Sequence, residues 1–513
     1  MSEIPKDRRQ TKVLLVGAGF SGIAGAITLL DHFKSDDFVI YDRNEDIGGT
    51  WWANTYPGCA SDVPATWYSL STDPKYDWSS LNPPQPEMYE YLKGVMEKRG
   101  IDKHVNCKHE VRSLDWDDDN SVWRATVENL STGEKFEHVS QLVILGQGIL
   151  VYPSKFDLPG LKDTFKGDCF HTGEWNHDVS LKDKNIVVVG NGCSATQVVP
   201  QVLKEAKSVT QIFRSKHYII PKNPEGVYTS YINFFSKANF LVALYRCMLF
   251  LGSEIKAPLY NGANPLSNYV RNIFTKQSVT YMKEKAPKEY HEMLIPDFKF
   301  GCKRMILDPG YLDTLHSPNM HLVNNEIDHV SEYAVHTKDG QEVPADVIIA
   351  ATGYDIGKSV FNLTITGTDK SETVGDKWKR EGVSAYETIM IDKCPNMFLS
   401  AGPNSATGHS SVILAIENAQ LYIKKVAAPI MNGTAKSVQV TSEAYENWKD
   451  TIAKALERTV FSTPFGGCVS WYGDGPGRNY MTYPWTQFTY WYRMKFPAWK
   501  DLVYSYPDDK KNT

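Results

Sequence analysis

A chain of 513 residues is longer than one hydrophobic core supports, because single cores stop growing near roughly 250–300 residues, so two or three domains are expected. Lys plus Arg number 55 against 60 for Asp plus Glu, a formal charge of -5 that offers no basic stripe to a phosphate backbone and argues against nucleic acid as partner. The eight cysteines form no C-x-x-C pair or His-Cys cluster, the amino terminus has no apolar stretch of signal-peptide length, and no run of about 18 apolar residues follows, so no metal site, disulfide framework or spanning segment is expected and a cytoplasmic protein is the default.

Lys12 to Val16 is a short β-branched run that ends in Gly17-Ala-Gly19-Phe-Ser-Gly22 and continues into a helix-like Ile23 to Phe33. Strand, tight turn and helix in that order form a dinucleotide-binding unit: Gly17 permits the turn, Gly19 clears the approach of a pyrophosphate, and Gly22 lets helix pack on strand. The next strand, Phe38-Val-Ile-Tyr41, closes on Asp42, placed to meet ribose hydroxyls. The loop Gly48-Gly49-Thr50-Trp51-Trp52 to Tyr56-Pro57-Gly58 and Asp62 has neither helical nor strand period, and its aromatic density argues for order. Asp62 in isolation is equally a turn or cap residue. Pro86 to Arg99 reads as a helix, Val122 to Glu128 and Phe136 to Val139 as paired strands, and Gln141 to Leu145 as a further buried strand completing the first sheet.

The pattern repeats about 170 residues later, where Asn185 to Val189 runs into Gly190-Asn-Gly192-Cys-Ser-Ala195. Alanine at the third position is tolerated because that site serves helix packing. The following strand exits not on an acid but on Arg214-Ser-Lys216, which suits the 2′-phosphate of NADP; the alternative is a solvated surface arginine. Between the two units, Phe165-Lys-Gly167-Asp-Cys-Phe-His171-Thr-Gly-Glu-Trp175 reads either as a packed linker or as a functional joint. Residues from about 223 to 300 read as a helical insertion, with Phe240 to Leu251 a buried or lid helix too short to span a bilayer, and with a polar helix over Tyr281 to Met293. Lys303-Arg304 alone is an ordinary solvated pair of cations. Val343 to Tyr354 is a strand returning to the second sheet, Asp392 to Asn404 a strand returning to the first, and Ser411 to Lys424 the helix after it. The aromatic carboxyl-terminal region (Trp471, Tyr472, Tyr480, Tyr483, Trp485, Phe488, Tyr490, Trp491, Tyr492) reads as core packing, with a substrate pocket as the alternative.

These residues resemble the flavin-dependent class B monooxygenases, and among them the Baeyer–Villiger monooxygenases, over about residues 10–425, in wording closest to fungal members. Phe165, Gly167, His171 and Trp175 meet the pattern Phe-x-Gly-x-x-x-His-x-x-x-Trp, with Asn176 where Pro or Asp is usual; the tryptophan favours this branch over N- and S-oxygenating relatives. Gly49, Trp51, Tyr56, Pro57, Gly58 and Asp62 meet a second pattern, and Lys303-Arg304 a third.

The resemblance implies an α/β fold of two Rossmann-like domains, the NADP domain carrying the helical insertion. FAD would belong to residues 1–150 and 390–513, NADPH to 151–222 and 305–389, with the insertion at 223–304. It further implies that Gly17, Gly19, Gly22, Asp42, Gly49, Thr50, Trp51, Tyr56 and Asp62 serve FAD and that Gly190, Gly192, Ala195, Arg214 and Lys216 serve NADPH, while His171 and Trp175 couple the two domains around it. Asp62 and Arg304 become a buried catalytic ion pair, without a metal. The implied reaction turns a small-molecule ketone and O2 into an ester or lactone through a flavin peroxide, in secondary metabolism. N- or S-oxygenation and, in another class, a non-oxygenating flavoprotein or scaffold are the alternatives.

Overall fold

The computed structural model describes residues 9–222, 225–406, 408–461, 463–468 and 479–507. Strand β1 (Gln10–Val16) has its last four residues buried and turns through the first glycine loop into α1 (Phe20–Thr28), which returns the chain to β2 (Phe38–Tyr41). The two strands pair in parallel, Val13 to Phe38 and Val16 to Tyr41, as the right-handed crossover requires. A single turn, α2 (Thr50–Ala53), and the helix α3 (Gln85–Arg99) precede β3 (Val105–Asn106), β4 (His109–Asp117), β5 (Val122–Asn129) and β6 (Lys135–Leu145).

The two strands expected at Phe136 to Val139 and Gln141 to Leu145 are one. The amino-terminal half of β6 alternates between buried and solvated residues because it pairs antiparallel with β5, and the last four residues are buried because they pair in parallel with β1. A change of neighbour, not a break in the strand, produces the two patterns.

The second sheet opens with β7 (Asp168–His171), continues with β8 (Asn185–Val189), α4 (Cys193–Val202) and β9 (Ser208–Ile212), and is wholly parallel. The stretch read as a linker or joint therefore contains an edge strand of this sheet. A two-residue strand β10 (Ile219–Ile220) then leads into α5 (Glu225–Phe234), α6 (Asn239–Ile255), α7 (Pro265–Lys285) and the turn α8 (His291–Leu294). The helix expected over Tyr281 to Met293 is interrupted, since α7 ends on Ala286, whose φ of -92° and ψ of 148° are those imposed on a residue before proline.

Strand β11 (Ile306–Leu307) pairs with β10, so the insertion leaves and returns at one point. After the turn α9 (Tyr311–Thr314), β12 (Met320–Val323) extends the second sheet beside β9, and the meander β13 (Ile327–Val330), β14 (Ala334–Thr337) and β15 (Glu342–Pro344) leads to β16 (Val347–Ala350), inserted between β7 and β8. The expected return of Val343 to Tyr354 to the second sheet is thus observed. Past α10 (Ile356–Phe361), β17 (Thr364–Thr366) pairs with β4, so the chain revisits the first sheet within the 305–389 stretch assigned above to the second unit.

Beyond α11 (Val374–Glu381), β18 (Met397–Leu399) pairs with β6, and α12 (Val412–Val426) lies against α1. The chain finishes with the short α13 (Ala428–Met431), β19 (Ser437–Val440), α14 (Ser442–Leu456), α15 (Thr463–Gly466), α16 (Gln487–Lys495) and β20 (Leu502–Ser505). Cys302 and Cys468 are joined by a disulfide, contrary to the expectation of none. A pairing across 166 residues leaves no local spacing to read. Among the described residues no helix is long and apolar enough to cross a membrane, and no group of His, Cys, Asp or Glu is arranged to hold a metal.

Candidate active site

The glycines of the two loops divide into those the protein's own packing demands and those it does not. Gly17 has φ +98°, and a side chain there would come within 2.8 Å of the Gly146 carbonyl; a β-carbon on Gly22 would come within 1.9 Å of the Gly17 carbonyl. In the second loop Gly190 has φ +120°, and a β-carbon there would come within 2.4 Å of the Ala351 carbonyl, while Ala195 is fully buried, as the packing role of that position requires. The middle glycines differ. A β-carbon on Gly19 would meet Gly49 Cα at an ordinary 3.6 Å, and one on Gly192 would meet nothing within 4 Å.

Gly19 and Gly192 are also the N-caps of α1 and α4, and neither helix has a side-chain cap. First-turn N–H groups left without a side-chain acceptor, at the positive end of a helix, suit phosphate. Both loops therefore fit a dinucleotide. Asp42 is buried at the exit of β2, one carboxylate oxygen accepting from Ala18 N–H at 2.7 Å and the other from Asn44 N–H at 2.8 Å. Burial raises its pKa, which these two N–H groups oppose. Each oxygen retains a lone pair for a further donor.

The loop after β2 closes over the first glycine loop. Gly48 N–H donates to Ala18 O at 3.0 Å, and Gly49, at φ +56°, would bring a β-carbon within 3.1 Å of Gly19 Cα. Thr50 is exposed and Trp51 buried in α2. Farther along, the loop locks onto the second unit: Tyr56 donates to Gln197 on α4 at 2.7 Å, Gln197 donates to Ala60 O at 3.0 Å, and Gly58 sits where a β-carbon would meet Gln197 O at 2.4 Å. Of the residues matching the second pattern, Tyr56 and Gly58 thus lie on the seam between the two units, while Gly49 packs on the first glycine loop. Gln197, two residues beyond Ala195, carried no signal in the sequence.

Asp62 and Arg304 meet at this seam. Arg304 Nε donates to Asp62 Oδ2 at 2.8 Å and its terminal nitrogen to Oδ1 at 2.7 Å, a bidentate pair between residues 242 apart. The side chains are 45 % and 28 % exposed, so the pair is not buried as expected: Asp62 lies on an irregular loop and Arg304 in the coil entering β11. Cys193, the first residue of α4, lies against the Arg304 side chain, its thiol pushed up to about 11 by burial. Tyr68, within the field of both charged groups, is pushed up to about 12 by burial and packs edge-on against Phe20, the first residue of α1, and against Trp51. The ion pair is therefore bracketed by the amino termini of both nucleotide-type helices. Cys193 and Tyr68 were also missed by the sequence reading.

His171 ends β7, buried, its Nδ1 accepting from Gly173 N–H at 2.9 Å and its ring edge-on to Tyr354 at 5.8 Å. The accepting Nδ1 places the proton of the neutral ring on Nε2, and burial lowers the ring's pKa. Tyr354 in turn hydrogen-bonds Asn54 of the first unit's loop. Trp175 packs edge-on against Phe170 at 5.0 Å, and Gly167 is required because a β-carbon would meet Asp346 O at 2.2 Å. Two members of the fingerprint, Phe165 and Gly167, therefore hold an edge strand, while His171 reaches the seam. Arg214 stands at the exit of β9, exposed, 3.7 Å from Glu326, with Lys216 two residues on and half-buried.

Of the aromatic carboxyl-terminal residues, Tyr480, Tyr483 and Tyr490 are buried, Phe488 and Tyr492 exposed, and Trp471 and Tyr472 lie outside the described residues. Trp485 and Tyr483 border a cavity of 170 Å³ with Tyr260 and His409, so this region supplies both packing and a recess.

Residues 10–249 match the family model described as flavin-binding monooxygenase-like. A Baeyer–Villiger monooxygenase of Streptomyces coelicolor is 29 % identical, covering 95 % of this chain and 91 % of its own. The FAD-binding monooxygenase ktnD of Aspergillus niger is 29 % identical (97 % and 82 %), and an uncharacterized monooxygenase of Mycobacterium tuberculosis, Rv0892, is 30 % identical (91 % and 90 %). The chain belongs to the Baeyer–Villiger family of flavin-binding monooxygenases. Its fold is shared with an oxidized steroid monooxygenase bound to NADP, at 22 % identity and a TM-score of 0.82 over 97 % of this chain and 100 % of that one. The fungal relative fits the fungal wording of the sequence, and the fold of a family member with two Rossmann-like units is the one described above.

Proposed function

We propose that this monooxygenase uses FAD and NADPH to insert one oxygen atom of O2 between a ketone carbonyl carbon and its neighbour, giving an ester or lactone. The second oxygen atom leaves as water, with NADPH supplying the two electrons. The observation that carries this reading is the bidentate Asp62–Arg304 pair set between two uncapped glycine-loop helices. Bound FAD would supply the activation of O2, and the protein positions and stabilises charge around it.

Gly17, Gly19 and Gly22, with the N–H groups opening α1, would hold the FAD pyrophosphate, Asp42 the ribose, and Gly49, Thr50, Trp51 and Tyr56 the wall closing over it. Gly190, Gly192 and Ala195, with α4, would hold NADPH, and Arg214 and Lys216 its 2′-phosphate. Arg304 carries a fixed positive charge at the seam, where it would stabilise the oxyanion that forms when a carbonyl carbon becomes tetrahedral. Asp62 fixes the plane and position of the guanidinium, because a bidentate pair leaves one orientation. His171 and Trp175 would couple the two units as the nicotinamide cofactor changes position.

The test is NADPH consumption with panels of cyclic, linear, aryl and polyketide-like ketones beside amines and thioethers, followed by product mass under isotopic O2. A ketone product heavier by one labelled oxygen, lost in Arg304→Ala while NADPH still reduces the flavin, is the expected result. Labelled amine or sulfide products with unreacted ketones overturn the ester assignment. An unchanged ester rate in Arg304→Ala overturns the role of Arg304.

A further inference from the structure

We propose that the face formed by α6 and α16 docks on the surface of an anionic phospholipid bilayer. Helix α6 is inverted relative to an ordinary surface helix. Its only charged residues, Arg246 and Glu254, point into the protein. Arg246 donates to Thr66 O at 2.6 Å and Ser69 O at 3.0 Å and pairs with Glu417 at 3.4 Å; Glu254 accepts from Gln487 N–H at 2.9 Å and Phe488 N–H at 3.2 Å and meets His409 at 3.1 Å. Its outward face carries Phe240, Leu244, Met248, Leu251 and Ile255, from 50 % to 75 % exposed. Spacings of three and four keep these five side chains on one stripe of a 17-residue helix.

A second exposed stripe runs along α16 through Phe488, Tyr492 and Phe496 to Trp499 beyond it, each more than half exposed. Between the two helices lies a groove of 580 Å³ whose walls include Trp67, Phe250, Leu414, Leu421, Phe488 and Trp491. Phe488 lies both in the wall and on the stripe, so groove and stripe are one surface. An apolar area of this kind on a water-facing protein marks a surface meant to be covered.

The charges around it select the covering. Lys237 and Lys256 flank α6, Lys424 lines the groove, and Lys495 and Lys500 are exposed beside the second stripe, Lys495 4.7 Å over the Trp491 ring. The carboxylates next to the face are already engaged: Glu254 by α16, Glu417 by Arg246 and Asp501 by Tyr386. A second copy of the chain would bring lysines against lysines. An anionic lipid surface meets them with phosphate and carboxylate, its acyl chains fill the groove, and Tyr492 and Trp499 stand at the headgroup level that such rings favour. The local cluster is cationic although the chain as a whole carries -5. Helix α6 lies on the membrane in this arrangement and does not cross it.

Flotation of the full-length, FAD-loaded protein with phosphatidylcholine vesicles, with and without phosphatidylserine, tests the proposal. Binding is expected to the phosphatidylserine vesicles, weakening as salt rises. L244E/L251E should abolish flotation, and K495Q and K500Q should each weaken it about fivefold. The substituted side chains are exposed, so flavin content and thermal unfolding should match the parent and separate lost docking from lost folding. Absence of flotation with phosphatidylserine vesicles, or flotation of L244E/L251E equal to the parent, overturns the proposal. So does a non-floating dimer that L244E/L251E splits in sedimentation, which would give the face to a second copy.

Discussion

Arg304 engages Asp62 with two of its nitrogens at once, a geometry no lysine reproduces, since an ammonium is a point charge without a planar fork. Arg304→Lys should therefore retain flavin reduction by NADPH but lose ester formation on the order of 10²–10³-fold, the scale of removing one preorganised donor. Stopped-flow flavin reduction beside product analysis reads the two halves separately; equal losses in both would contradict the assignment. A second residue-scale effect concerns stability. His138 is fully buried between Thr11 Oγ1 at 3.0 Å and the Tyr41 hydroxyl at 3.2 Å, and burial pushes its ring down to about 4; His217 is pushed down to about 4 by the same cause. Both rings take a proton more readily in the unfolded chain, near 6.5, than in the folded one. Their contribution is complete above pH 6.5 and is lost as pH falls through the window from 6.5 to about 4, at up to about 1.4 kcal/mol per pH unit for each histidine. Denaturant unfolding across that range should give a shallower slope for His138→Gln than for the parent, and parallel curves would exclude His138 as the source.

At the scale of the elements, the two glycine loops look alike in sequence yet separate into positions that the protein's own packing demands and positions that it leaves open. Gly22→Ala puts a β-carbon within 1.9 Å of a backbone carbonyl, so α1 must shift, and soluble FAD-loaded protein should fall sharply. Gly192→Ala meets nothing within 4 Å at an ordinary φ of -86°. It should alter stability by no more than about 1 kcal/mol while raising the KM for NADPH on the order of tenfold, the value of about 1.4 kcal/mol of lost phosphate approach. Thermal unfolding and NADPH titration of the two variants check the contrast, and an unchanged KM in Gly192→Ala would show that no phosphate approaches there. The same loops explain what the sequence made legible. Strand, glycine turn and helix are local patterns, so both nucleotide units, the helices α3 and α12 and the return strands β16 and β18 could be read from spacing and burial. β6 could not, because its change of periodicity records a change of partner strand. Gln197, Cys193 and Tyr68 could not, because nothing near them in the chain marks the seam they occupy. Asp62 and Arg304 were found only through a family pattern, and it was the burial implied by that pattern that differed, the solvated reading of Lys303-Arg304 by itself agreeing with an Arg304 side chain 45 % exposed.

Across the whole molecule, the seam between the units is held by contacts that span most of the chain. Arg304 reaches Asp62 over 242 residues because β10 and β11 close the insertion at its base, and Cys302, two residues before Arg304, is tied to Cys468 over 166 residues. Both sulfurs are buried, Cys302 at 1 % and Cys468 at 7 % exposure, within a cluster that includes Tyr218, Tyr260, Phe300 and Val460. A cross-link closing so long a loop removes conformations chiefly from the unfolded chain and contributes on the order of 2–4 kcal/mol. Cys302→Ser should lower the unfolding temperature, and a reductant should lower that of the parent toward the variant without moving the variant itself. Because the tether ends beside Arg304, Cys302→Ser should also form less ester per NADPH consumed. A reductant that shifts both proteins equally would show that the stabilisation comes from elsewhere, and an unchanged ester-to-NADPH ratio in Cys302→Ser would separate the disulfide from the placement of Arg304.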